Sequence, residues 1–128
     1  MKAEKREPAP DDRTRGVENP RVVDLIALDP ESGEVRLVML ERRGWGRWAR
    51  QLLEIQEKYN SYLSYVQGGF LARDYPAYAE RRVRLELHCT EIPGDEQVEF
   101  LEAMRAHAER ERIGFLVRVL LRPEDGAG

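Results

Sequence analysis

Two acidic residues and a short basic-aromatic run hold most of the chemistry open to this chain. Asp24 lies in RVVDLIALD and Glu41 ends the apolar part of EVRLVMLER. An Asp on one strand with Glu-x-Lys on its neighbour is how nucleases of the restriction-endonuclease type hold magnesium and polarise water. Here the triplet is Glu41-Arg42-Arg43. Arginine keeps its proton, so the third position could bind phosphate but not act as a lysine would. Charged residues at strand ends need no ligand to explain them, and a divergent magnesium-dependent nuclease is therefore only the alternative reading. Further on, ERRGWGRWAR sets Arg43 and Arg47 around Trp45, the stacking-plus-charge composition of single-strand nucleic-acid platforms. Packing accounts for the same residues, with Trp48 opening a helical core stripe and the arginine stems lying along the aromatic rings.

A third constellation sits in LLEIQEKYNSYLSYVQGGFLARDYP, residues 52–76. Gln56 and Asn60 are one helical turn apart and flanked by Leu53 and Leu63, a pattern that predicts half-buried amides. Such amides take partners from nearby backbone or from a ligand. Gln56, Asn60 and Tyr75 are accordingly the ligand-binding candidates, with the returning segment 69–78 as the backbone alternative. His88 and Cys89 are neighbours on a strand and point to opposite faces, so they form no catalytic dyad. Two histidines and one cysteine predict no metal site and no cofactor, and there is no nucleophile elbow, phosphate loop or dinucleotide fingerprint.

The elements that must position these residues are legible from periodicity. RVVDLIALD and EVRLVMLER flank PESG and predict a β-hairpin, with Leu28 opposite Val35 and Ile26 opposite Leu37. One hairpin face then carries Ile26, Leu28, Val35, Leu37 and Met39, and the other Leu25, Ala27, Val38 and Leu40, so both sides call for cover. Trp48, Leu52, Ile55, Tyr59, Tyr62 and Val66 form a helical stripe that Gly68-Gly69 terminates. RRVRLELHCTE alternates as a strand with one wet face. Pro93-Gly94-Asp95 predicts a second helix capped by Asp95, with Gly114 ending the unit, and FLVRVLL a final strand. The order is ββαβαβ. Right-handed crossovers make this a two-layer α+β fold, a four-stranded mixed sheet with two helices on one face.

The chain has 128 residues, 41% of them hydrophobic, enough for one domain with a core. Residues 1–20 read as a disordered tail, 21–122 as the domain and 123–128 as a flexible C-terminus. A net charge of -3 disfavours dedicated nucleic-acid binding. No apolar run is long enough for a signal peptide or a membrane span, and the lone Cys89 fits a reducing compartment, so the cytoplasm is expected.

Taken together, VVDLIALDPESGEVRLVML, the QEKxNxYL spacing from Gln56 to Leu63, Tyr75-Pro76 and VRLELHCTEIP resemble a small bacterial domain family of unknown function, over about residues 21–120. The resemblance implies a coherent fold and a bacterial origin and brings no catalytic residues. The expected role is non-enzymatic: contact with another protein or a homodimer formed through the face of Ile26, Leu28, Val35, Leu37 and Met39. A small-ligand domain built on Gln56 and Asn60 stands beside the nuclease as an alternative.

Overall fold

The computed structural model of the chain describes residues 15–46 and 48–120. Arg47, residues 1–14 of the expected tail and the expected C-terminus at 123–128 lie outside them. Strands β1 (Leu25–Leu28) and β2 (Val35–Glu41) are followed by helices α1 (Gln51–Gln67) and α2 (Phe70–Asp74) and a 3-10 turn at Pro76–Tyr78. Then come β3 (Val83–Cys89), α3 (Asp95–Arg110) and β4 (Gly114–Val119). The fold is α+β, a four-stranded open sheet in the order β1-β2-β3-β4. β1 is antiparallel to β2, while β2, β3 and β4 run parallel.

The hairpin register is the expected one, with Leu28 opposite Val35 and Ile26 opposite Leu37. Gly33 takes φ +77° in the turn, a conformation that glycine enters without steric cost. Gly69, at φ +85°, likewise separates α1 from α2. Two other boundaries differ from expectation. Gly94 rather than Asp95 precedes the first turn of α3, and its N–H donates to Gln97 Oε1 at 2.9 Å. After α3 the left-handed residue is Arg112, at φ +63°, while Gly114 already belongs to β4.

One face of the sheet holds the core. Val35, Leu37 and Met39 of β2 and Leu85 and Leu87 of β3 are fully buried against Ile55, Tyr59 and Tyr62 of α1 and Leu101 and Met104 of α3. This corrects the expected interface: Val35, Leu37 and Met39 face the helices, and of that set only Ile26 and Leu28, on the edge strand, keep partial exposure. The register dictates it, because Val35, Leu37 and Met39 lie beside Val83, Leu85 and Leu87, the apolar side of an alternating strand.

The buried stripe of α1 is also rotated from the expected one. It runs through Gln51, Ile55, Lys58, Tyr59, Tyr62 and Leu63. Trp48 precedes the helix and is 54% exposed, with the Arg43 guanidinium 5.6 Å from its ring centroid. Residues 16–19, expected within the tail, pack into the fold: Val17 is fully buried, and its N–H donates to the Leu40 carbonyl at 2.8 Å.

Candidate functional site

Asp24 and Lys58 form a sealed ion pair. Lys58 Nζ donates to Asp24 Oδ1 at 2.8 Å and to the carbonyls of Gly16 and Asn19 at 2.8 and 2.7 Å, and both side chains have no solvent exposure. The Asp24 carboxylate also accepts the N–H groups of Gly16 and Leu40, each at 2.9 Å. Tyr62 completes the cluster by accepting the Asp24 N–H and donating to the Val38 carbonyl. Burial pushes the Lys58 ammonium down, with Asp24 opposing, and pushes the Tyr62 phenol up. The cluster ties residues 16–19, the hairpin and α1 together. Sequence reasoning missed Lys58 because lysine is rarely enclosed; its signal was its place three residues after Ile55 and four before Tyr62.

Glu41, fully buried at the end of β2, has its own partners. Its carboxylate accepts Arg43 Nη2 at 2.8 Å, Arg43 Nε at 2.9 Å and Gln51 Nε2 at 3.0 Å. Arg43 also reaches Glu54 at 2.9 Å. Every carboxylate oxygen of Asp24 and Glu41 is thus engaged, and neither group is open to a hydrated cation. No group of three or more His, Cys, Asp or Glu able to hold a metal occurs among the described residues. Nor does the strand order reverse among the described residues, which therefore form no switch-point crevice of the kind that receives nucleotides in parallel sheets. Trp45 is half-buried against the core and donates its indole N–H to the Glu91 carbonyl at 2.8 Å. The nucleic-acid candidates Arg43 and Trp45 are therefore each bonded within the fold.

The sheet face away from the helices carries Glu86 at its centre, with no exposure. Arg36 grips it with two bonds of 2.9 and 3.0 Å, and Arg84, His88 and Arg118 add contacts of 2.9, 2.8 and 3.2 Å. Arg84 also bonds Glu34 and Asp29 at the hairpin turn. Burial would raise the Glu86 carboxyl, but the hydrogen bonds from Arg36, His88 and Arg84 outweigh it and hold it well below the usual carboxylate range. Cys89 points to the opposite face and is buried, which pushes its thiol up.

Gln56 and Asn60 are exposed, not half-buried, and neither side chain is hydrogen-bonded among the described residues. They border a cleft toward α3. Tyr75 lies outside that cleft, stacked on Tyr78 at 5.7 Å, so the three ligand-binding candidates do not converge.

Another surface feature is an apolar corner at β4, the edge strand of the sheet among the described residues. A groove of about 330 Å³ runs between α3 and β4, lined by Pro93, Val98, Leu101, Leu116, Val117 and Val119 among others. At the same corner Ile92, Val98 and Leu120 are 78%, 52% and 50% exposed. Leu120 N donates to the Cys89 carbonyl, which brings it beside the segment leading to Ile92.

A family described as being of unknown function, DUF6572, matches residues 15–121. The chain belongs to DUF6572. No curated protein and no solved structure matches it. The part of this chain that DUF6572 covers begins with the segment that Lys58 and Asp24 hold, so those residues belong to the family's domain. Among the described residues of this DUF6572 chain, no helix is long and apolar enough to cross a membrane.

Proposed function

We propose that this chain is a bacterial, cytoplasmic protein-interaction module that pairs with a second copy of itself along the free edge of β4. One observation carries the reading: the β4 edge, unpartnered among the described residues, coincides with the exposed apolar residues Ile92, Val98 and Leu120. An edge strand offers a row of backbone donors and acceptors, and native folds usually blunt or cover it. Clustered apolar exposure beside such an edge marks contact surfaces.

The sequence of β4 suits a two-fold, antiparallel partner. Centred on Val117, the pairing sets Phe115 opposite Val119 and Leu116 opposite Arg118, so no like charges meet. The buried Cys89 supports a reducing compartment. Light scattering should report a dimer that Leu116→Lys abolishes while the thermal unfolding transition is retained. A strict monomer at the highest attainable concentration would remove the self-pairing reading.

A further inference from the structure

The cleft between α1 and α3 has a volume of about 300 Å³, at the small end of the range typical of small-molecule sites, about 300–1,000 Å³. Its floor is Tyr59 and Met104, both buried, with half-buried Phe100 beside them. Around the rim stand Gln56, Asn60 and Arg110, all exposed and none with a side-chain partner among the described residues. His107 completes the wall. Its Nδ1 lies 2.7 Å from Tyr59 Oη, whereas the Met104 carbonyl is 3.5 Å from the same oxygen. Burial keeps the phenol protonated, at a pKa of about 12. A phenol that donates to the nearer acceptor, Nδ1, leaves Nε2 as the imidazole's donor.

We propose that this cleft binds a small carboxylate bearing an apolar group. Arg110 and the His107 Nε2–H supply the donors that an anion requires, and a planar guanidinium matches a carboxylate through two parallel bonds. The amides of Gln56 and Asn60 complete its hydrogen bonding, and the apolar part lies on Phe100 and Met104. Among the described residues, no acidic side chain lines the cleft. The neighbouring Glu111, which acts electrostatically on Tyr59, is engaged by Gln67 Nε2 at 2.7 Å. A single guanidinium suits a monoanion, whereas a phosphate near its dianionic state calls for more cations. The site lies on the helical layer, away from the β4 edge, so its fate is independent of self-pairing.

The test titrates full-length protein with benzoate and 3-methylbutanoate, following backbone amide resonances, with benzamide and inorganic phosphate as controls. Both carboxylates should give saturable shifts centred on residues 56–60 and 100–110, and benzamide and phosphate should bind more weakly. Arg110→Gln, an exposed change, should weaken benzoate by about tenfold or more. Ala103→Trp, which fills the cleft without removing a polar group, should abolish binding. No saturable shift with either carboxylate, unchanged affinity in either variant, or benzamide or phosphate binding as tightly as benzoate would overturn the proposal.

Discussion

Asp24 and Glu86 are carboxylates on opposite sides of one small sheet, both closed to solvent, and they are neutralised in contrasting ways. Asp24 meets a single lysine that is itself fully enclosed, together with two backbone N–H groups. Glu86 meets three arginines and a histidine, of which Arg36, Arg84 and Arg118 are 24%, 14% and 47% exposed. Enclosing both members of a pair carries the full desolvation cost and is repaid only by complete hydrogen bonding. Guanidiniums that keep one side in water avoid much of that cost. The sealed pair therefore fixes the path of the chain, and the open web covers a sheet face that no helix among the described residues protects.

The sharpest way to break this contrast is Lys58→Met. It leaves Asp24 enclosed without a cation and should cost about 3–5 kcal/mol, read as a fall in the urea midpoint. A loss below about 1 kcal/mol, the scale of an exposed pair, would mean that Asp24 is readily rehydrated and that the two regions do not differ.

On the other side, Glu86→Gln should cost about 1–3 kcal/mol, because three guanidiniums lose their shared anion. It should also change the acid limb of the stability profile. The Glu86 carboxyl is held below its ordinary value of 4.5, so its contribution is present above that pH and is lost as the pH falls. Asp29, lowered to about 2 by the Glu31 N–H and Arg84, acts with the same sign. Wild-type stability should fall as the pH drops below about 4.5, and the variant should fall less steeply in chemical denaturation at stepped pH. Equal slopes would assign the acid sensitivity elsewhere.

Tyr62→Phe removes the acceptor of the Asp24 N–H and the donor to the Val38 carbonyl while keeping the ring, and about 1–2 kcal/mol should be lost. The smallest effect belongs to Arg118→Ala. As the most exposed arginine of the web, it should change stability by less than about 0.5 kcal/mol. A larger loss would show that the web acts as a unit rather than through its inner arginines.

The hairpin and its register could be read from the sequence because PESG sets the turn and the flanks leave few alternative pairings. Which hairpin face is buried was ambiguous, since β2 is apolar on both sides, and only its pairing with alternating β3 resolves it. Trp48 misled because its spacing extends the α1 stripe, but the chain turns before Gln51 and leaves the ring outside. Lys58 and Glu86 were invisible for one reason: a charged side chain in an apolar pattern reads as solvent-facing, and its counter-ions lie on elements distant in sequence. The spacing of Gln56 and Asn60 correctly put both amides on one face of α1, but their neighbours across the cleft come from α3 and could not be read locally.

The contacts of Lys58 also set an order of events during synthesis. Its ammonium binds carbonyls at positions 16 and 19, which are 42 and 39 residues earlier in the chain. Residues 16–19 therefore stay unsecured until α1 emerges and packs. At about 5–20 residues per second, that interval lasts roughly 2–8 seconds. Until it closes, the Leu40 carbonyl lacks the Val17 N–H that satisfies it, and the nascent hairpin presents an open end of β2 to whatever else is nearby.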